Sequence, residues 1–155
     1  MRTRILCFGE LLLRLASPGR ELLLQSPQLQ VHVGGAEANV AIALAGFGHR
    51  VGCIGTVADN ALGRAAVAEL RRHDVDTTRL NFAPGRMGLY FLETGALQRP
   101  SEVLYDRADS AFARASPDRY DWPALLAGAQ LLHLSGVTPA LGRAGAEAAI
   151  AAARA

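Results

Sequence analysis

The chain has 155 residues, of which half are hydrophobic and 19% are charged, and this composition is typical of one folded domain rather than of a disordered segment. The formal net charge is only +2, and no basic run is interleaved with aromatic residues, which argues against nucleic-acid binding. All sixteen basic residues are arginine, so the chain lacks the lysine that a Walker-type phosphate-binding loop requires.

The first third of the chain predicts short strands followed by one helix. Apolar runs predict strands at four places, the second continuing the first: residues 5–8, 11–15, 22–24 and 29–33. Residues 36–47 are apolar nearly all round, which predicts a buried helix rather than a surface helix. Gly48 follows this segment and is a typical helix stop.

The remaining two thirds alternate strands and helices. Apolar runs predict buried strands over residues 51–57 and 131–134, and helical spacing predicts helices over residues 62–73, 125–129 and 141–155. Buried strands that alternate with helices indicate an α/β fold with a parallel sheet. Two segments, residues 89–93 and 103–107, instead alternate with a period of two, and they predict a small additional sheet that in an α/β enzyme would typically form a lid.

Cysteine usage and the N-terminal segment favour a cytoplasmic protein. Cys7 and Cys53 lie in apolar, strand-like runs without the pattern of a disulfide framework. The four histidines are dispersed without ligand spacing, so no metal site is predicted. Glu10 and Arg14 interrupt the leucine-rich N-terminal stretch, which argues against a signal peptide, and no segment approaches the ~20 apolar residues of a membrane span.

A glycine pair, Gly34-Gly35, separates an extended segment from the predicted helix over residues 36–47. Glycine has no Cβ, so backbone N–H groups can approach a ligand closely, and the start of a helix adds unpaired donors and a partial positive charge. Asn39 places a polar side chain one turn into the helix. This pattern predicts a cradle for a polyhydroxylated or anionic small molecule. A dinucleotide fingerprint at residues 46–52 is excluded because the segment follows a helix and precedes a strand.

The glycine pair belongs to a longer array that resembles the first signature of the ribokinase-like (PfkB) carbohydrate kinases. The array comprises Gly34-Gly35, Asn39, Ala41, Gly48, Gly55 and Asp59 to Gly63. One departure is Ala58, where the family usually has glycine. Further stretches, in the same order, are similar to 2-keto-3-deoxygluconate kinases: Gly9-Glu10 and residues 87–90, 103–111 and 133–141.

This resemblance covers essentially all 155 residues and implies a ribokinase-like three-layer α/β sandwich. Residues 1–155 would form the N-terminal part of a sugar kinase domain, with lid strands within about 15–33 and 86–107. The implied activity is ATP-dependent phosphorylation of a sugar acid, 2-keto-3-deoxygluconate, to its 6-phosphate. A kinase of fructose or another neutral sugar, and a non-catalytic binding module or truncated gene product, are the alternatives.

Charged and hydroxyl-bearing residues favour the acid over a neutral sugar. Arg14 stands where fructokinase-like relatives commonly have an aspartate, and Arg107 could hold a carboxylate as a fork. Tyr90 and Tyr105 could donate hydroxyl hydrogen bonds, although packing within the lid would also explain them, and a solvated charge would explain Arg14. The candidate substrate-binding residues are Arg14, Gly34, Gly35, Ala36, Glu37, Asn39, Tyr90, Tyr105 and Arg107.

The catalytic aspartate of the family lies in a C-terminal Gly-Ala-Gly-Asp motif, and no such motif occurs in this chain. Residues 144–147, Ala-Gly-Ala-Glu, lack the second glycine and fall within the predicted last helix, so no catalytic residue is predicted. ATP and Mg²⁺ are the expected cofactors, with ligands mostly outside this chain. We expect the isolated polypeptide to be inactive and to aggregate or oligomerise through an open sheet edge, and we expect a homo-oligomer through the lid sheet.

Overall fold

A computed structural model describes residues 4–155 and shows two four-stranded sheets. The strands in chain order are β1 (Arg4–Phe8), β2 (Leu12–Ala16), β3 (Gln30–Gly34), β4 (Arg50–Ala58), β5 (Asp76–Ala83), β6 (Gly88–Glu93), β7 (Glu102–Asp106) and β8 (Leu131–His133). The helices are α1 (Ala36–Gly46), α2 (Ala61–Arg72), α3 (Trp122–Leu126), α4 (Val137–Ala140) and α5 (Arg143–Arg154). None of the helices described here is long and apolar enough to cross a membrane.

The first sheet is parallel throughout, with the strand order β5-β4-β1-β8. Its central strand β1 is buried on both faces, as expected for a parallel strand between helical layers. Ile5 and Cys7 pack with α1 and α2 on one side. Leu6 and Phe8 pack on the other side with Trp122 of α3 and with α5. The three layers confirm the predicted α/β sandwich.

The second sheet has the order β3-β2-β6-β7 and combines two chain segments that are distant in sequence. Its inner pair, β2 and β6, is parallel, whereas the outer pairs are antiparallel. The predicted small sheet over residues 89–93 and 103–107 is therefore observed, enlarged by β2 and β3. The prediction that residues 11–15 continue the first strand is wrong, because residues 9–11 carry the chain from one sheet into the other.

The tight turn between β4 and α2 depends on two residues, Asn60 and Gly63. Asn60 caps α2, since its Oδ1 accepts hydrogen bonds of 3.0 Å from the N–H groups of Leu62 and Gly63. A Cβ on Gly63 would collide with the backbone oxygen of Ala58, the last residue of β4. Ala58 itself is fully buried, so the departure from the family pattern falls in this tight turn and away from the cavity described below.

Burial was the property least accessible from the residue pattern. Only three residues of α1 are buried, and Phe47 at its end is 80% exposed, so the prediction of a buried rather than a surface helix is wrong. The strand predicted at residues 131–134 is an edge strand of the first sheet, with Leu131 49% exposed. These apolar surfaces remain open in the described chain.

Four segments differ from their predicted secondary structure. The helix predicted over residues 125–129 is displaced toward the N-terminus and spans Trp122–Leu126. Residues 22–24 form a turn in which Leu24 has a φ of 66°, not a strand. The last helix begins at Arg143, because Gly142 has a φ of 133° and separates it from the short helix α4. Finally, β5 is a strand for which no apolar run gives a signal.

Candidate functional site

A cavity of about 230 Å³ opens where the second sheet leaves the carboxyl end of β1. The carboxyl edge of a parallel sheet is the usual ligand-binding edge of an open α/β fold. Seven of the nine candidate residues line this cavity: Gly35, Ala36, Glu37, Asn39, Tyr90, Tyr105 and Arg107. Glu10, Leu12 and Val137 complete the lining, and the sequence pattern singles out none of these three as a ligand contact.

A larger cavity, of about 500 Å³, lies at the opposite edge of the first sheet, where β1 and β4 begin. Its charged lining residues are Arg4, Arg50, Asp74 and Asp76. These side chains offer both signs of charge without a glycine-rich helix start, and none of the nine candidate residues is present there. The smaller cavity is therefore the candidate site.

Gly34 and Gly35 turn the chain from β3 into α1 directly beside Glu10. Gly35 has a φ of 138°, which residues with a side chain rarely adopt, and a Cβ there would collide with the backbone oxygen of Glu10. A Cβ on Gly34 would lie 3.0 Å from the hydroxyl oxygen of Tyr90. No side chain caps the start of α1, so its first N–H groups are available to a ligand in the cavity.

Glu37, in the first turn of α1, fixes the floor of the cavity. The residue is 3% exposed, and its Oε1 accepts hydrogen bonds from the backbone N–H and the hydroxyl of Ser135, at 3.0 and 2.5 Å. A Cβ on Gly9 would overlap Oε2 of the same carboxylate. Glu37 thus fastens α1 to the ends of β1 and β8, while the exposed Asn39 lies two residues further along the helix.

Three aromatic and basic side chains share one face of the second sheet. Arg14, Tyr90 and Tyr105 are register partners across β2, β6 and β7. The two tyrosine rings are 5.8 Å apart, and the guanidinium carbon of Arg107 lies 5.7 Å from the Tyr105 ring centroid, within cation–π range. Arg14 does not line the cavity, but its Nε is buried without a hydrogen-bond partner among residues 4–155.

Arg107 is held from behind by the buried carboxylate of Glu10. Nε and Nη2 of Arg107 both donate to Oε2 of Glu10, at 3.0 and 2.6 Å. The other oxygen, Oε1, accepts a hydrogen bond of 2.5 Å from the Ser110 hydroxyl. Glu10 is 3% exposed, and the side chain of Arg107 is 15% exposed. A charged residue two positions after the apolar run of residues 5–8 was the available sequence signal for this ion pair.

Neither metal binding nor thiol chemistry is indicated within the described chain. Residues 4–155 contain no group of three or more histidine, cysteine, aspartate or glutamate side chains that could hold a metal ion. Burial, with a smaller contribution from the negative charge of Glu37, raises the pKa of Cys7 to about 12 and raises the pKa of Cys53 as well. Both thiols are therefore protonated and weakly nucleophilic at neutral pH.

The fold and the candidate site define an α/β protein with a cavity lined largely by polar residues at the carboxyl edge of its parallel sheet. Comparison with protein families matches residues 2–155 to the pfkB family of carbohydrate kinases. The chain belongs to the pfkB carbohydrate kinase family.

Two relatives and one ATP complex illustrate this membership. The 2-dehydro-3-deoxygalactonokinase of Haloferax volcanii is 36% identical over 141 residues, which are 91% of this chain and 44% of that protein. The crystal structure of 2-dehydro-3-deoxygluconokinase from Thermotoga maritima is 40% identical, with a TM-score of 0.95, and the match covers 99% of this chain and 47% of that one. A sugar kinase of Pyrococcus horikoshii in complex with ATP is 25% identical, with a TM-score of 0.69, over 78% of this chain and 39% of that one. The chain therefore spans about half the length of the first two relatives.

Proposed function

We propose that the 230 Å³ cavity binds a sugar acid, 2-keto-3-deoxygluconate, which the enzyme containing this chain phosphorylates to the 6-phosphate with ATP. The observation that carries the proposal is the Arg107 guanidinium at the cavity wall, next to the hydroxyl-bearing rings of Tyr90 and Tyr105. The names of the Haloferax volcanii and Thermotoga maritima relatives, both kinases of 2-dehydro-3-deoxy sugar acids, support an acid rather than a neutral sugar.

The carboxylate of the acid would meet the free end of Arg107. The edge of the guanidinium formed by Nε and Nη2 is occupied by Glu10, whereas Nη1 has no hydrogen-bond partner among the described residues. A carboxylate that approaches end-on can bind Nη1 and the remaining hydrogen of Nη2 together. Tyr90 and Tyr105 would then donate hydroxyl hydrogen bonds to the oxygens of the acid.

The hydroxyl groups of the sugar would lie toward the glycine pair and the start of α1. Gly35, Ala36, Glu37 and Asn39 line this part of the cavity, and the uncapped N–H groups at the start of α1 can bind hydroxyl oxygens. Arg14 would act at longer range. It adds a positive charge beside Tyr90, close to a cavity whose lining includes two carboxylates and one guanidinium.

Positioning of the acceptor hydroxyl is the contribution of this chain to phosphoryl transfer. Catalysis of this reaction rests on positioning and electrostatic stabilisation, and ATP, when bound, supplies the phosphoryl group. The described residues do not provide a cluster that fits Mg²⁺, and its ligands are proposed to lie mostly outside this chain. The ATP-binding part and the catalytic aspartate are proposed to lie outside this chain, in an in-frame Gly-Ala-Gly-Asp segment encoded downstream of codon 155. Sequencing that DNA tests this point.

We further propose that β2, β3, β6 and β7 form a lid through which two copies associate. One register row on the face opposite Tyr90 is entirely apolar, and it comprises Val31, Leu15, Phe91 and Leu104. We call it the distal apolar row. Leu104 is 61% and Val31 57% exposed, so the row offers surface for a second copy.

The free cysteines support a cytoplasmic location.

Isothermal titration calorimetry on the product of the complete reading frame tests the substrate assignment. Arg107→Ala should weaken binding of 2-keto-3-deoxygluconate at least about tenfold, because a charge-assisted contact is lost. Arg143→Ala removes an arginine from the exposed surface of α5 and should leave the affinity unchanged. Equal affinity of the wild-type protein for fructose, or an unchanged Kd in Arg107→Ala, would contradict the proposal.

A further inference from the structure

Glu10 connects three parts of the candidate site, although it was not predicted to bind a ligand. Its backbone oxygen lies against Gly35, where a Cβ would collide with it. Its side chain reaches Arg107 and Ser110 on the far side of the cavity. Gly88 on β6 leaves the space for the carboxylate, since a Cβ there would overlap Oε1. The second sheet is therefore built around this side chain.

A tight turn within residues 107–110 brings Ser110, like Arg107, into contact with Glu10. Asp109 has a φ of 55°, a left-handed conformation that aspartate tolerates better than most residues. This turn brings the Ser110 hydroxyl back to Oε1, and the same hydroxyl oxygen accepts a hydrogen bond of 3.1 Å from the N–H of Ala113. Both carboxylate oxygens of Glu10 are consequently engaged, one by Ser110 and the other by Arg107.

Two hydrogen bonds to one oxygen fix both the position and the plane of the Arg107 guanidinium. An arginine side chain that is free to rotate would lose several rotamers on binding a carboxylate, and this loss weakens binding. With Nε and Nη2 held on Oε2, the end-on edge of the guanidinium is oriented before any ligand arrives. Such preorganisation of a binding group by a neighbouring buried partner increases affinity without adding a contact to the ligand.

We propose that Glu10 is a positioning residue for recognition of the acid: it holds Arg107 so that a substrate carboxylate meets the Nη1–Nη2 edge. This inference rests on the proposed function, since it specifies how the same cavity selects a carboxylate. Glu10 acts through Arg107 and does not touch the ligand carboxylate. Ser110 supports it by occupying the second oxygen of Glu10.

Two substitutions separate positioning from charge. Glu10→Gln keeps the length of the side chain and an oxygen for Arg107, and its amide can donate to the Ser110 hydroxyl oxygen. Glu10→Ala removes the acceptor altogether. We expect Glu10→Ala to weaken binding of 2-keto-3-deoxygluconate about 10- to 100-fold in calorimetry and binding of fructose by less than about threefold. Glu10→Gln should stay within about threefold of the wild-type affinity for the acid.

A second readout needs no ligand. In ¹⁵N-labelled protein, the Nε–H resonance of Arg107, assigned by its loss in Arg107→Ala, should be sharp and protected from exchange in the wild type and in Glu10→Gln. It should be exchange-broadened in Glu10→Ala. A resonance that is unchanged in Glu10→Ala would overturn the positioning role.

Three binding results would also overturn it: parallel losses of acid and fructose affinity in Glu10→Ala, unchanged acid affinity in Glu10→Ala, or equal losses in the Gln and Ala variants. If the wild type shows the protected resonance but binds no acid, the proposed function is refuted, and the role in acid recognition is refuted with it. In that case, the protected resonance alone supports the orienting contact between Glu10 and Arg107. The two failures are therefore distinguishable.

Discussion

Replacing Arg107 by alanine should destabilise the fold, because the Glu10 carboxylate would remain buried without a cationic partner. Glu10 is 3% exposed, so water cannot readily take the place of the guanidinium. Removal of one member of a buried ion pair typically costs about 3–5 kcal/mol. Ser110 keeps one hydrogen bond to Glu10 and Arg107 is itself 15% exposed, so we expect the lower end, about 3 kcal/mol.

The double variant Glu10→Gln/Arg107→Ala provides the internal control for this prediction. Removing the unpaired charge should recover about 1–2 kcal/mol relative to Arg107→Ala alone. Urea unfolding followed by circular dichroism gives the free energy of unfolding of the wild type, both single variants and the double variant. A cost below about 1 kcal/mol in Arg107→Ala, or a double variant that is less stable than Arg107→Ala, would refute the assignment of a buried, paired carboxylate.

Three further predictions concern the backbone, pH and assembly. Gly35→Ala should destabilise the fold by at least about 1 kcal/mol in the same urea assay, because φ is 138° and a Cβ would strike the Glu10 backbone oxygen. Above pH 9 the free energy of unfolding should fall with pH, by at most about 1.4 kcal/mol per unit for Cys7, because burial raises the pKa of Cys7 to about 12 and the unfolded chain loses this proton first. Leu104→Asp on the distal apolar row should shift the mass in light scattering toward the monomer.

Each of these predictions has a matched comparison. Gly19→Ala also replaces a glycine of positive φ, at 57°, but a Cβ there meets no atom within 4 Å, so its cost should be smaller than that of Gly35→Ala. A Cys7→Ala/Cys53→Ala variant, compared in reducing buffer, should flatten the alkaline pH dependence. Val103→Asp changes an exposed residue on the opposite face of β7 and should leave the mass unchanged. If a test variant and its control show equal effects, the physical reason given for that prediction is contradicted.

The strands with apolar runs were predictable, whereas the strand stabilised by its neighbours was not. β1 is apolar from Ile5 to Phe8, and its burial on both faces follows from that run. β5 begins with Asp76 and carries several polar residues, and only Thr77, Leu80 and Ala83 are buried. Pairing with β4 holds it in the sheet. A local pattern cannot report a strand whose stability depends on a partner about 25 residues away.

The residues of the candidate site also divide into those that were predictable from the sequence and those that were not. Gly35 and Asn39 were recognisable because their roles are local: a positive φ before a helix, and a polar residue one turn into it. The partner of Arg107 was not recognisable, because Glu10 is 97 residues distant and meets it through the pairing of β2 with β6 and of β6 with β7. Glu37 was predicted as a substrate contact, but the Ser135 contact that engages its carboxylate depends on where β8 ends.

The position of the acid carboxylate in a crystal of the product of the complete reading frame, soaked with 2-keto-3-deoxygluconate, tests the central claim most directly. We predict carboxylate oxygens within hydrogen-bond distance of Nη1 and Nη2 of Arg107, with Nε and Nη2 still bound to Glu10. The Tyr90 and Tyr105 hydroxyls should contact the same ligand. Acid density in the larger cavity at the amino ends of β1 and β4, or a carboxylate that turns away from Arg107, would contradict it.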